Sequence, residues 1–230
     1  MLNKKVHYLQ IALNNTLEEA QSIISQLPLD KRIILEAGTP LIKSYGERGI
    51  RLINDWWTER IFSIAPDPLL TPVPYIVADM KCQDRGTIEV QIAKRAGASA
   101  ITVNGNAPIE TINVLIEECQ KAELDSMVDM MNVEQPIKIL RKLKKLPDVV
   151  MLHRGVDEET FNRDKPIPYL QINKIRSSFD VLIAMAGGDT ILEIQRAIFN
   201  DANIVVTWKE FYESSDKTTN LAEEFLKHIK

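Results

Sequence analysis

The chain has 230 residues, 45% hydrophobic and 26% charged, with a net charge of −4 at pH 7. That is enough material for one substantial core, and it excludes a disordered or fibrous chain. The acidic balance argues against nucleic acid and anionic membrane surfaces as main partners. Cys82 and Cys119 are too few for a disulfide framework and read as reduced thiols of a cytoplasmic protein. Residues 1–15 hold no long apolar core of a secretory signal, and no apolar run approaches the roughly 20 residues of a membrane span. The histidines are His7, His153 and His228, none of them close to a cysteine. That pattern points away from zinc and toward a metal held by carboxylates, if one is held at all.

Residues 6–13 alternate as a first strand and end in Asn14-Asn15. Thr16 with Glu19 forms a capping box for a helix whose apolar face is Leu17, Ala20, Ile23, Ile24 and Leu27, and Pro28 stops it. Residues 32–36 are almost continuously apolar, as in a parallel sheet buried on both faces. A helical stretch is expected over 42–62, containing Trp56 and Trp57 and interrupted by Gly46 and Gly49. The segments Ala65-Pro66-Asp67-Pro68 and Thr71-Pro72-Val73-Pro74 make a stiff connection. It reads as a loop, because the strand–helix rhythm resumes unchanged.

Strand 75–79 then leads to a helix from Thr87 that closes at Gly97. Strand 100–103 leads to a helix with Ile109, Ile112, Leu115, Ile116 and Cys119 facing inward. Strand 126–130 leads past Pro136 to a helix on Ile137, Leu140, Leu143 and Leu146. Strand 149–153 leads to a long polar loop and a short helix around Ile172. Strand 180–184 leads to Ile191, Ile194, Ala197 and Ile198, and strand 203–207 to a last helix with Leu221, Phe225, Leu226 and Ile229. Eight β/α units of this length predict a single (β/α)8 TIM barrel over residues 1–230. In that fold the active site lies where the strands end. Polar side chains recur there: Asn14, Glu36, Asp79 with Lys81 and Asp84, Asn104, Asp129, His153 with Arg154, Gly187-Gly188, and Trp208-Lys209.

The spacing D-x-K-x-x-D at Asp79, Lys81 and Asp84 puts the first two on one face of a strand, with Asp84 in the connection that follows. An ammonium held between carboxylates stays protonated and fixed, suited to an oxyanion or to proton transfer; the same spacing also suits a surface ion-pair cluster. Glu36 and Asp79 end neighbouring strands about 4.8 Å apart, so both can reach one Mg²⁺; alternatively Glu36 pairs with Lys43 or Lys81. His153, beside Arg154 at a strand end, is a candidate proton donor or acceptor, or a structural histidine. Gly187-Gly188 opens a helix where backbone N–H groups can approach a phosphate, or serves as a tight turn. Asp189 reads as a cap for that helix, which would occupy N–H groups a phosphate needs, and its charge would repel the phosphate; Lys209 or Arg154 could offset it.

Several stretches together resemble the orotidine 5′-monophosphate decarboxylase suprafamily, and within it the 3-hexulose-6-phosphate synthase branch. They are Leu9-Gln10-Ile11-Ala12-Leu13, Leu35-Glu36-Ala37-Gly38-Thr39-Pro40-Leu41-Ile42-Lys43-Ser44, and Ala78-Asp79-Met80-Lys81 with Asp84. Lys94 with Ala96-Gly97-Ala98, Met127-Val128-Asp129-Met130, His153-Arg154-Gly155-Val156-Asp157 and Ala186-Gly187-Gly188 add to the likeness. Arg85-Gly86 after Asp84, and Val156 where the keto-gulonate-phosphate decarboxylase branch carries arginine, favour the synthase branch. The resemblance implies Mg²⁺-dependent aldol chemistry joining formaldehyde and ribulose 5-phosphate, or the reverse. It implies Mg²⁺ on Glu36 and Asp79, Lys81 stabilising a cis-enediolate, and His153 moving the proton. It implies substrate contacts from Asn14, Arg154, Gly187, Gly188 and Lys209, and a homodimer in which Asp84 enters the partner's site. The chain departs from the family at Asn14 (usually Asp), at Asp189 (usually apolar), and at Trp208-Lys209 (usually Gly-Gly or Gly-Arg). The alternatives are a suprafamily enzyme with a different sugar-derived substrate, or a non-catalytic binding barrel.

Overall fold

The computed structural model describes residues 1–65, 67, 72–162, 164–213 and 217–229. Pro66, Pro68 and Thr71 of the proline-rich connection lie outside the described residues. Eight strands close into a barrel in sequence order, every neighbouring pair parallel, with β8 returning to β1. They are β1 Tyr8–Leu13, β2 Ile33–Ala37, β3 Ile76–Cys82, β4 Ala100–Asn104, β5 Asp125–Asp129, β6 Val149–His153, β7 Leu182–Ala186 and β8 Ile204–Thr207. The predicted fold class is therefore the observed one.

The helices between them are α1 Leu17–Gln26, α2 Thr39–Tyr45, α3 Glu47–Ile64, α4 Gly86–Arg95, α5 Ile109–Ala122 and α6 Pro136–Leu140. The chain continues with α7 Val156–Phe161, α8 Tyr169–Arg176, α9 Ile191–Phe199, α10 Lys209–Glu213 and α11 Thr218–His228. Thr16 and Glu19 form the expected capping box at α1.

Three elements differ from expectation. The helix predicted over 42–62 is two helices, because Gly46 turns the chain at φ +61, where only glycine is unstrained, and closes α2 by donating to Ile42 at 2.7 Å. Helix α6 stops at Leu140 and does not reach Leu146; Arg141, Lys142, Lys144 and Lys145 then crowd like charges together ahead of Pro147. The loop after β6 contains α7, whose first turn carries Asp157, Glu158 and Glu159.

Two apolar layers result from the two-residue period of the strands. Leu9, Ile11 and Leu13 on β1 face outward and pack with Ile23, Ile24 and Leu27 of α1 in the larger core between barrel and helices. Tyr8, Ala12, Ile34, Val77, Met127, Val149 and Ile204 belong to the smaller core inside the barrel. Following the inward period toward the strand ends changes the chemistry. Ile34 is succeeded by Glu36, Val77 by Asp79, Ala100 by Thr102, Met127 by Asp129 and Met151 by His153. The lower half of the barrel is thus filled with hydrocarbon, and its C-terminal mouth is lined with groups that ionise or hydrogen-bond.

Candidate active site

At that mouth the inward side chains form one continuous hydrogen-bonded chain. Asp79, 5% exposed, accepts at Oδ1 from the Thr102 hydroxyl (2.7 Å) and at Oδ2 from the Thr39 hydroxyl (2.7 Å). The Lys81 ammonium donates to both of those oxygens, at 3.2 and 2.9 Å. It also donates to Asp129 Oδ2 at 2.7 Å, and His153 Nδ1 lies 2.9 Å from that same oxygen. Asp129 is wholly buried, and its other oxygen accepts from the Met131 N–H at 2.9 Å. Glu36, also buried, accepts from the Gln10 side-chain amide.

Lys81 reaches this position through a local irregularity in β3. Ala78 pairs with Ile101 and Cys82 with Val103, so four steps along β3 oppose two along β4. Lys81 takes φ +45 within that bulge, and its N–H donates to Thr102 Oγ1 at 2.9 Å. Positive φ on a lysine costs on the order of 1–3 kcal/mol, and the Thr102 and carboxylate bonds hold it there. The bulge keeps Asp79 and Lys81 facing the same way but directs the ammonium across the mouth toward β5.

The charges decide which forms are present. Burial works against the Lys81 charge, but Asp79 and Asp129 outweigh it and raise its pKa above the ordinary lysine range, so it is a permanent cation. Burial likewise opposes ionisation of Asp129, yet the adjacent His153 and Lys81 hold its pKa below the usual carboxylate value. For His153, burial disfavours the charged ring, and the contact with Asp129 more than reverses this, raising its pKa above 6.5. Its Nδ1 proton is thereby committed to Asp129, and its Nε2 has no partner among the described residues. Glu36 is pushed up to about 7, first by burial and then by the neighbouring Asp79 charge, with Lys81 and Gln10 opposing.

A cavity of about 360 Å³ opens over these groups. Of the candidate residues, Glu36, Asp79, Lys81, His153, Asn14, Arg154 and Gly187 line it. Asn14 is placed by Gly38: a Cβ there would sit 1.9 Å from Asn14 Oδ1. Arg154 Nη2 donates to the Gly187 carbonyl at 2.8 Å, while its Nε is buried with no hydrogen-bond partner among the described residues. Lys209 lies just outside, bonded to Glu159, and Gly188 is packed behind the cavity against Glu193 and Ile167. Asp84 is exposed and away from this chain's own Lys81, on an open concavity with Arg85, Thr87, Ile88, Glu110 and Val114. Within one chain, the second carboxylate on Lys81 is Asp129.

Asp129, Thr39, Thr102 and Gln10 were not singled out with roles from the sequence. Asp129 had a legible signal, since it ends β5 on the inward period opposite Asn104. The two threonines had none, because threonine is common in strands and at helix starts.

Fold and site together define a (β/α)8 barrel with an acid–base constellation at its C-terminal mouth. The sequence matches the orotidine 5′-phosphate decarboxylase / HUMPS family over residues 7–206, and the chain belongs to that family. It is 37% identical over 223 residues to the bifunctional enzyme Fae/Hps of Methanosarcina barkeri, covering 96% of this chain and 52% of that protein. The corresponding protein of Methanocaldococcus jannaschii is 37% identical over 210 residues, covering 91% and 49%. The chain thus spans about half the length of the curated relatives it matches. Among solved structures, a 3-hexulose-6-phosphate synthase superposes with a TM-score of 0.80 at 26% identity, covering 97% of this chain and all of that one. The 3-hexulose-6-phosphate synthase of Salmonella typhimurium gives 0.78 at 25% identity, covering 96% and 99%.

Proposed function

We propose that this chain is an aldolase-type carbon–carbon lyase of the 3-hexulose-6-phosphate synthase kind. It joins formaldehyde to C1 of ribulose 5-phosphate through a cis-enediolate, or runs the reverse cleavage. The observation that carries the proposal is the Lys81 ammonium clamped by Asp79 and Asp129, with His153 on the far side of Asp129. Removing the C1 proton beside the ketone leaves one negative charge on the former carbonyl oxygen, next to the C1 hydroxyl. A fixed cation at the floor of a half-closed cavity stabilises that charge without reorganising. Neutral His153, oriented through Nδ1 by Asp129, takes the proton at Nε2 and returns one to the new alkoxide after the carbon–carbon bond forms. Asn14 and Arg154 face the sugar hydroxyls across the cavity.

Glu36 and Asp79 fit Mg²⁺ by the chemistry of the donor set. Both supply hard oxygens, and Glu36, whose pKa is raised first by burial and then by the Asp79 charge, is a carboxylate whose ionisation an added cation would favour. Asp79 already receives two hydroxyls and the Lys81 ammonium, and it would hold an ion together with Glu36. Among the described residues no group of three or more His, Cys, Asp or Glu forms a metal cluster, so water and substrate oxygens would complete the shell. When bound, the ion supplies positive charge against the charge that builds on the substrate oxygens.

The second part of the proposal is a homodimer. Asp84 sits on a face with half-exposed Ile88 and Val114, apolar side chains that a second copy would cover while Asp84 enters its site. The buried free thiols of Cys82 and Cys119 suit a reducing, cytoplasmic setting. No helix among the described residues is long and apolar enough to cross a membrane. The test is Mg²⁺-dependent consumption of formaldehyde with ribulose 5-phosphate, with Lys81→Ala as control. An activity loss of roughly 100-fold or more in the variant is expected. Wild-type turnover no greater than that of the variant would remove the proposal.

A further inference from the structure

Barrels of this fold commonly take a substrate phosphate on the connections after strands seven and eight, using backbone N–H groups and a helix start. Here the N–H groups after strand eight, and those of Thr190 and Glu193 at the start of α9, already have acceptors. Asp189 Oδ1 accepts from the Trp208 N–H at 2.9 Å, the Thr207 hydroxyl at 3.2 Å and, more weakly, the Lys209 N–H at 3.4 Å. At the start of α9, the Thr190 N–H donates to the Glu193 carboxylate at 3.1 Å, and the Glu193 N–H to Thr190 Oγ1 at 3.3 Å.

The glycine pair serves the same internal packing. A Cβ at Gly187, which has φ +90, would lie 2.2 Å from the Arg154 carbonyl oxygen. One at Gly188 would lie 3.0 Å from Glu193 Cβ. Both glycines therefore make room for protein atoms. The cations face carboxylates, although Arg154 Nε has no hydrogen-bond partner among the described residues. Arg154 Nη2 lies 3.8 Å from both Glu159 and Glu193, and the Lys209 ammonium bonds Glu159 and lies 3.9 Å from Asp189. Among the described residues three carboxylates thus face two cations, an excess of one negative charge where a phosphate dianion needs the opposite. Trp208 closes this end with an apolar wall, held edge-on by Tyr212 at 6.2 Å.

We infer that Asp189 is a built-in occupant of the phosphate position and a specificity-determining residue. It makes this end of the cavity indifferent to a substrate phosphate, so that a ketose ending in a free hydroxyl is accepted as well as its phosphate ester. The identity of the ketose rests on the reaction proposed above; the occupancy of the donors does not.

Calorimetric titration with inorganic phosphate tests the occupancy directly, on wild type, Asp189→Ala and Asp189→Asn, each checked for fold by circular dichroism. The alanine variant frees the Trp208 and Lys209 N–H groups and removes the excess charge, and is expected to bind phosphate at least roughly tenfold more tightly than wild type. The asparagine variant keeps an acceptor oxygen and should fall between the two; it serves as the decisive variant if alanine does not fold. In turnover, the ratio of kcat/KM for ribulose 5-phosphate over ribulose should be roughly one in wild type and rise roughly tenfold in Asp189→Ala. Wild-type phosphate binding as tight as that of the folded variants overturns the inference, as does a folded variant with no gain. Failure of aldol turnover with both sugars would remove the proposed reaction, and the phosphate titration would still decide the role of Asp189.

Discussion

Glu36 is a site carboxylate whose charge the protein resists, and Glu36→Gln exposes that cost. Its pKa rises from 4.5 in the unfolded chain to about 7 in the fold. A shift of this size corresponds to about 3 kcal/mol at about 1.4 kcal/mol per unit, undiminished by solvent because the carboxylate is buried. The sign follows from the direction. A raised folded-state pKa favours the native state fully below pH 4.5, and the advantage is lost as pH rises through about 7. Glutamine does not titrate and keeps an oxygen for the Gln10 amide. The stability of Glu36→Gln relative to wild type should therefore climb from its value at pH 4 by about 3 kcal/mol at pH 8 and then level off. Urea unfolding of both proteins at half-unit pH intervals in EDTA measures this, with coincident fluorescence and circular dichroism transitions as the two-state check. Saturating Mg²⁺ should restore wild type at pH 8, by about 2.7 kcal/mol at a hundredfold excess over Kd, and leave the glutamine variant unmoved. Parallel stability profiles for the two proteins between pH 4 and 8 would refute the claim that Glu36 ionises against its surroundings.

Asp129→Asn should lower kcat by roughly 10²–10⁴ and shift the acidic limb of the pH–rate profile downward, because His153 loses the contact that raises its pKa. In wild type that limb should lie above pH 6.5, and an unchanged midpoint in the variant would argue against His153 as the base. If Asp84 serves the neighbouring subunit, Lys81→Ala and Asp84→Ala are each inactive alone. Refolded together in equal amounts they should recover roughly a quarter of wild-type activity, since half the dimers then contain one complete site of two. Mixing without recovery would keep Asp84 out of the chemistry.

Much of the barrel is legible from period and punctuation. The apolar runs, capping residues and terminating glycines state eight strand–helix units, and physical closure follows because parallel strands need both faces covered. The candidate site is partly legible for the same reason. Glu36, Asp79, Lys81 and His153 end their strands on the inward period, and the structure brings all four to one cavity. What could not be read is the pairing among them. The sequence spacing suggests Asp84 as the second carboxylate on Lys81. A bulge in β3 instead carries the ammonium to Asp129, 48 residues further on. Bulges have no reliable sequence signature, because they depend on how two strands accommodate each other. The occupation of the Trp208 and Lys209 N–H groups by Asp189 was equally hidden. From sequence, Asp189 presents itself as a cap for the helix that follows it; in the fold that cap is Thr190, and the carboxylate turns to β8.

The two ends of the cavity compensate their charges differently. At the Lys81 end, Glu36, Asp79 and Asp129 face one permanent cation and one titrating histidine. With Glu36 ionised, the cluster carries one excess negative charge when His153 is protonated and two when it is neutral. Each proton that His153 gives up therefore strengthens the demand for an external cation at Glu36 and Asp79. Proton transfer and metal affinity are thereby linked through charge alone, with no conformational change needed. At the Asp189 end, among the described residues, Arg154 and Lys209 face carboxylates and the Trp208 and Lys209 N–H groups are filled from within, so a bound anion gains less there. Substitution at Lys81 or Asp129 breaks a compensated, buried network, whereas substitution at Asp189 releases donors toward the cavity. Loss of function at the first end and gain of anion binding at the second are the two opposite responses this division of charge requires.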